Sequence, residues 1–387
     1  MVGIAVKENR LVFIDNLKLL MMILVVIQHL ALTYSGIGDW YYMEYEQTGF
    51  KQAWFFFYFV SFTQGYFMGL FFLISGYFIP VSYDRKGFKK FVKDRLIRLG
   101  IPVLIYTIII HPVTTIMVWG PLAYDNNPLV FYTEYIFHFK FLLNSGPLWF
   151  AFALLIFSTI YAIIRKLNLL KPAKAASGLP TLPKIVLLIL AIGVITFLVR
   201  IVHPVDKLTL NMRLAHFPLY IILLITGMVC RRSEWFEKIN YSVGKRWFIS
   251  ANTIGPIYWT ITMCLSMFLS RSTFDNYSAF SGGITWESAV YSIWESFISI
   301  SMSIGLISIF KEKLNRRNNL IQKMTDNSFA VYVFHTPVIT GMALLFEDIP
   351  FYPIVKFAIL SIISIPICFL LTYFTVRKIP FLKKLFE

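Results

Sequence analysis

The sequence predicts an all-α fold: a polytopic transmembrane helical bundle of about ten spans, with the N and C termini cytoplasmic. Three observations predict it. The 387 residues are 57% apolar and only 14% charged, with a mean hydropathy of +0.67, far from the balance of a water-soluble domain. Apolar runs of about 17 to 25 residues, each long enough to cross about 30 Å of hydrocarbon as a helix, recur from one end of the chain to the other. Basic residues gather in alternate connections between those runs, as they do in cytoplasmic loops.

The expected spans are residues 12–34, 54–81, 96–119, 147–164, 184–203, 214–230, 246–270, 288–310, 328–346 and 351–376, the sixth being short and interrupted by Pro218. They leave no room for a water-soluble domain, so residues 1–387 read as one integral-membrane unit, a multi-pass protein of the cell membrane. Lys7 and Arg10 before an apolar stretch imitate a signal peptide. The stretch runs on to Tyr34 without a clear small-residue cleavage site, and retention as the first span is expected. The second connection then collects Arg85, Lys86, Lys89, Lys90, Lys93, Arg95 and Arg98, and the fourth Arg165, Lys166, Lys171, Lys174 and Lys184. The sixth holds Arg231, Arg232, Lys238, Lys245 and Arg246, and the eighth Lys311, Lys313, Arg316, Arg317 and Lys323. Asp39, Glu44, Glu46, Asp125, Glu134, Glu347 and Asp348 fall on the other side.

A net charge of +16 distributed in this way reads as orientation and attraction to anionic membrane lipids, not as a nucleic-acid surface. Cys230, Cys264 and Cys368 lie far apart, so neither a disulfide framework nor a thiolate metal site is indicated. No metal-binding or phosphate-cradling motif appears, and no metal is expected.

Ionisable side chains within a membrane cost about 2.5 to 3.5 kcal/mol at a helix centre, so each requires a reason. Lys18 and His29 lie eleven residues apart in the first span. That spacing is about 1100° of helix, three turns plus about 20°, so the two share a face at an axial offset of about 16 Å. Lys18 reads either as a snorkelling anchor or as part of a functional stripe. His29 reads as a general base for a hydroxyl, or as an imidazole bonded to a neighbouring helix. Glu295, in Tyr291-Ser292-Ile293-Trp294-Glu295, falls about two turns below the outer surface, at the depth of His29. It is expected either to orient that imidazole or to make an interhelical hydrogen bond.

His335, beside Pro337 in the inner half of the ninth span, is either site-lining or structural. Arg200 and His203 read as interfacial anchors, while His111, His138 and His216 carry no assignment. Arg95 and Arg98, spaced i, i+3, suit bidentate phosphate binding, though orientation explains their charge equally. Gly65, Gly69, Ser75 and Gly76 make a small-residue face for close helix packing.

Several segments, in order, carry a family resemblance: Phe13-Ile14-Asp15-Asn16-Leu17-Lys18 followed by His29, Phe71-Phe72-Leu73-Ile74-Ser75-Gly76, and Arg95-Leu96-Ile97-Arg98 running to Pro102. Gly146-Pro147-Leu148-Trp149-Phe150 and Tyr332-Val333-Phe334-His335 continue it. The chain resembles the acyltransferase 3 family of integral-membrane acyltransferases, and Asp39-Trp40-Tyr41-Tyr42 and the region from Trp286 to Glu295 look similar to its glucan-modifying members. Lys18 stands where family members generally carry an arginine. The resemblance implies transfer of an acyl group, acetyl or succinyl, from cytoplasmic acyl-CoA (acetyl-CoA or succinyl-CoA) to a hydroxyl of an extracytoplasmic or lipid-linked carbohydrate. It implies His29 as the catalytic base and Lys18, Arg95 and Arg98 as contacts to the donor; the depth of Glu295 adds it as a catalytic partner of His29, and His335 is expected to join the donor contacts. The rival reading is a secondary transporter or exporter, which ten spans and a few intramembrane charges would also serve.

Overall fold

The computed structural model describes residues 11–44, 50–120, 127–169, 178–270 and 278–386. Lys7, Arg10, Glu46, Asp125, Lys171 and Lys174 lie outside the described residues. Helices make up the fold, and among the described residues the only bridge of strand type is the isolated pair Thr209 and Met212.

The first helix, α1 (Val12–Ser35), stops where Gly36 takes a φ of 66°, a left-handed conformation that glycine adopts without a Cβ clash. Helix α2 (Phe50–Arg95) is broken at Gly87, whose φ of 69° and ψ of 172° lie outside the helical region. The break reverses the chain: Lys86 Nζ lies 2.6 Å from Asp94 Oδ2, and the rings of Tyr83 and Phe91 are 5.6 Å apart. Residues eight apart in a straight helix would be separated by about 12 Å. The returning arm passes through α3 (Ile101–Ile105) to α4 (His111–Trp119), with π-helical turns at Leu96–Gly100 and Tyr106–Ile110. Pro102 and Pro112 stand two residues past the ends of those turns, and each lacks the N–H that a regular ladder requires.

Eleven further helices complete the described chain. They are α5 (Pro128–Phe137), α6 (Trp149–Lys166), α7 (Leu182–Val202), α8 (Phe217–Ser233), α9 (Trp235–Lys238), α10 (Tyr241–Ser270), α11 (Ser278–Ser281), α12 (Trp286–Lys313), α13 (Asn319–Leu345), α14 (Pro353–Thr375) and α15 (Pro380–Phe386). Eight stretches of described helix are long and apolar enough to cross a membrane, one of them the 66-residue run Trp54–Trp119 that contains the Gly87 reversal. The expected span at 246–270 is not among the eight. Its helix, α10, begins in the polar residues Ser242, Gly244, Lys245 and Arg246 and carries Asn252 and Pro256, which dilute its apolar character.

The basic connections meet at one end of the bundle. Arg165 bonds Asp84 at 2.7 Å, Asn16 donates to the Leu314 carbonyl at 2.7 Å, and Lys311 donates to the Ile239 carbonyl at 2.6 Å. Acidic loops meet at the other end, where Lys356, 0% exposed, places Nζ 2.8 Å from Glu44 Oε1. Apolar side chains such as Leu187 on α7, Phe268 on α10 and Ile362 on α14 face outward, as a lipid-contacting surface requires. Helix α12 is the central element: Ser288, Ser292, Ser296, Ser299 and Ser303 are all buried, their small size admitting neighbouring helices closely.

The closest of these approaches joins α2 to α8. A Cβ built on Gly76 would lie 2.0 Å from the Leu224 carbonyl oxygen, and one on Gly227 would lie 2.0 Å from the Leu73 carbonyl oxygen. The small-residue face expected on the second span is therefore a contact surface at Gly76, with Gly227 as its reciprocal partner. Gly227→Ala is expected to lower stability by about 1 to 3 kcal/mol, because backbone rather than a flexible side chain must yield. Thermal unfolding in detergent checks this, and a midpoint equal to that of the wild type would contradict the close approach.

Candidate active site

A cavity of about 490 Å³ opens at the end of the bundle opposite the basic loops, between α1, α2, α4 and the start of α8. Trp40, Trp149, Tyr220, Tyr291 and Tyr332 give it aromatic walls, and Asp39, Asn144, Asn211 and Arg213 line it with polar groups. Three imidazoles, His29, His111 and His216, line it as well.

His29 takes its geometry from two neighbours. Its Nδ1 lies 3.1 Å from His335 Nε2, and the Nδ1 of His335 lies 2.8 Å from the Tyr332 carbonyl oxygen. A carbonyl only accepts, so His335 donates from Nδ1 and its neutral ring presents a lone pair at Nε2. His29 must then donate from Nδ1, which leaves its own Nε2 as the lone-pair nitrogen. Trp40 stacks over the ring, with centroids 4.3 Å apart and planes 20° from parallel.

Trp40 and Tyr41 belong to the loop after α1, and that loop is tied down from several directions. The Glu44 amide donates to the Thr33 carbonyl at 2.9 Å, and the Lys356–Glu44 pair holds the far end. Arg213 bridges Asp39 at 3.1 Å and the Val205 carbonyl at 2.5 Å. Tyr41 bonds Tyr106 at 2.9 Å and also touches His111 Nδ1. Burial first, and the Tyr106 phenol second, raise the Tyr41 pKa well above the ordinary tyrosine value, so this residue is a neutral hydrogen-bonding phenol.

The opposite wall follows from Gly146-Pro147-Leu148-Trp149. Gly146 has a φ of 47°, and a Cβ there would come within 2.6 Å of the Tyr106 ring. Its carbonyl accepts from Asn211 at 3.1 Å, and the Pro147 carbonyl accepts from the Tyr332 hydroxyl. Two polar atoms of the lining residues, Gln28 Oε1 and Trp40 Nε1, are buried with no hydrogen-bond partner among the described residues.

Of the six residues singled out from the sequence, the structure brings His29 to the cavity itself. His335 and Glu295 stand one layer behind, each bonded to a lining imidazole. His335 is 0% exposed with both ring nitrogens engaged, so it meets His29 rather than presenting a free nitrogen to a donor. It also lies level with His29 instead of in an inner half, because α13 starts at Asn319, well before the expected 328.

Glu295 does not touch His29. Its Oε2 lies 2.7 Å from Arg200 and its Oε1 2.6 Å from His216 Nδ1. Equal depth on two helices fixes height and leaves azimuth open, and α12 turns this carboxylate toward α7 and α8. Arg200, expected as an interfacial anchor, is 0% exposed. The chain beyond α7 folds back over it, with Gly283 donating to its carbonyl at 3.1 Å and Val205 bonding Ser281.

Lys18, Arg95 and Arg98 lie away from the cavity, at the basic end. Lys18 sits over the Phe78 ring at 4.7 Å and 3.6 Å from Asp15, Arg95 sits over Phe91 at 5.0 Å, and Arg98 is exposed. Among the described residues, no group of three or more His, Cys, Asp or Glu side chains is placed to hold a metal. Trp40, Gln28, Arg200 and His216 were given no role in the site by the sequence. Arg200 alone carried a usable signal, as a guanidinium within an apolar run.

Apolar helices around a half-enclosed cavity edged by histidines define a helical membrane protein with an internal site. The chain belongs to the acyltransferase 3 family, whose profile, described as an acyltransferase domain, matches residues 11–373. It is a membrane acyltransferase. Comparison with curated proteins and with solved structures gives no match.

Proposed function

We propose that this protein is an O-acyltransferase of the cell membrane that moves an acetyl or succinyl group from acyl-CoA to a hydroxyl of an extracytoplasmic or lipid-linked carbohydrate. The observation that carries the reading is that His29 lines the cavity with its Nδ1 held by His335. In the reaction Nε2 removes the acceptor's hydroxyl proton as the oxygen forms a bond to the acyl carbon. The carbon–sulfur bond breaks, and its electron pair leaves on the CoA sulfur. Aromatic walls with interspersed Asp39, Asn144, Asn211 and Arg213 suit a sugar, whose C–H faces stack on rings while its hydroxyls bond polar groups.

In this reading residues 1–387 form one domain of ten spans with cytoplasmic termini, contacting membrane lipids along its apolar outer surface. The run Trp54–Trp119 counts as two crossings and α10 as one. Lys18, Arg95 and Arg98 then form a cytoplasmic patch for the phosphates of acyl-CoA, with Lys18 about 16 Å from His29 along α1. The clustering of basic loops at the end opposite the cavity supports this orientation.

The test compares glycan and lipid extracts of cells with and without the gene by mass spectrometry, and wild type with His29→Ala. A mass increment of acetyl or succinyl size that depends on the gene and on His29 is expected. Identical extracts would reject the reading. For orientation, a cysteine placed near Lys90 is expected to resist an impermeant thiol reagent in intact cells, and labelling there would put the donor patch on the wrong side.

A further inference from the structure

On its α4 side the cavity wall is one helix thick. His111, Thr115 and Trp119, spaced i, i+4, i+8, line the cavity, and Ile109, Val113 and Met117, about half a turn round, are exposed apolar side chains on the opposite face. This outer face belongs to the apolar helical run Trp54–Trp119, which is long enough to cross a membrane. Trp119 belongs to both sides, since it lines the cavity and is 59% exposed. The stretch between α5 and α6 repeats the arrangement. Asn144 and Gly146 line the cavity, while Phe137, Phe139, Leu142 and Leu143 are exposed.

This stretch does not simply extend beyond the end of α4. The Tyr135 hydroxyl donates to the Thr107 carbonyl at 2.8 Å, and the Tyr135 ring stacks on His111 with centroids 5.6 Å apart. Thr107 precedes Trp119 by about 18 Å of helix, so α5 turns back alongside α4. Irregular backbone follows, with Phe139 left-handed at a φ of 54° and 3-10 turns at Lys140–Leu143 and Gly146–Leu148. Glu134, His138 and Lys140 are exposed as well and edge the apolar side chains with polar groups. An apolar face edged in this way suits the boundary between hydrocarbon and headgroups.

An opening for a water-borne glycan needs no apolar border, yet here both parts of the wall are apolar on their outer side. Resting on the reading of the protein as an acyltransferase with a carbohydrate acceptor, we propose that the acceptor is a saccharide linked to a long hydrocarbon chain. The chain lies outside the wall, against Val113, Phe137, Leu142 and Leu143, and the sugar enters past Trp119 to reach His29. Of the two acceptors that reading allows, a lipid-linked saccharide uses this face and a free glycan does not. The chain stays among apolar groups throughout, so seating it exposes no hydrocarbon to water. The sugar meanwhile exchanges water for the aromatic walls and polar groups of the cavity. Attachment also confines the sugar to the membrane, where its effective concentration at the mouth exceeds that of the same glycan free in solution. An indole, apolar in body with a single N–H, suits the junction where chain meets sugar.

Separated acceptor fractions provide the test. Lipids of cells lacking the gene are extracted into organic solvent, and the water-soluble glycans are collected apart. Purified wild type receives radiolabelled acetyl-CoA or succinyl-CoA with one fraction at a time. Label is expected in the lipid fraction in preference to the glycans, on a species whose mass includes both sugar and hydrocarbon. Labelling of the glycans equally or alone would overturn the lipid-linked acceptor and leave the acyltransferase reading standing. Label on a lipid without sugar would overturn the saccharide, and label in neither fraction from either donor would overturn both readings together. Phe137→Ser and Leu142→Ser, checked by size-exclusion profile, are expected to raise the half-saturating amount of the lipid fraction about tenfold with the maximal rate unchanged, since burial of one large apolar side chain is worth about that factor. Half-saturation equal to that of the wild type in both variants would overturn the place assigned to the chain.

Discussion

His29→Ala is expected to abolish acyl transfer while leaving expression and detergent stability near those of the wild type. Removing a general base costs about 10² to 10⁴ in rate, equivalent to about 3 to 5 kcal/mol of transition-state stabilisation. The ring lines a cavity and leans on the Trp40 face, so its removal enlarges an existing space. His335 loses a hydrogen-bond donor and keeps its own bond to the Tyr332 carbonyl. The measurement is transfer of labelled acyl group into glycan extract, alongside size-exclusion profiles of the variant. A well-folded His29→Ala protein that transfers at the wild-type rate would remove the general-base role and favour transport over catalysis.

Glu295→Ala is expected to destabilise the protein by about 3 to 5 kcal/mol, because it leaves the Arg200 guanidinium charged, 0% exposed and without its counter-ion. Glu295→Gln should cost less, since an amide oxygen still accepts from Arg200. The pair Arg200→Met with Glu295→Leu should recover much of the lost stability, as apolar replacement of a buried ion pair commonly does, yet remain impaired in transfer. Thermal unfolding of the single and double variants in one detergent gives the cycle. A Glu295→Ala midpoint equal to that of the wild type would show that the guanidinium has another anion or reaches water.

Much of the architecture is legible in the sequence because the bilayer constrains it severely. Apolar run lengths mark most of the spans, and the basic cluster around Lys86 to Lys93 marks the reversal that the structure places at Gly87. Span α10 is less legible because its first turns are polar and Pro256 lies within it. For the site, the cost of an imidazole and a carboxylate among apolar residues singles out His29 and Glu295, but their partners are set by helix azimuth. A linear sequence gives depth along one helix and says nothing of which neighbour a side chain meets. That is why Glu295 pairs with Arg200 and His216, and why His335 and Trp40, neither expected beside His29, enclose it. His216 is illegible for a further reason. It lies at the edge of a short span, and its burial depends on the fold-back of residues 203–216.

The placement of Trp40 against His29 bears on regiochemistry. An indole at 4.3 Å covers one face of the imidazole, and His335 occupies the Nδ1 side. In the proposed reaction with a sugar acceptor, a molecule in the cavity would meet His29 Nε2 by approaching along the plane of the ring. For an acceptor with many hydroxyl groups of similar reactivity, such as a sugar, the hydroxyl that is acylated is then the one directed along that line when the sugar rests on the aromatic walls. Selection among positions on one residue follows from the direction of approach, and a change at Trp40 would redistribute the ester among those positions before it altered which sugar is accepted.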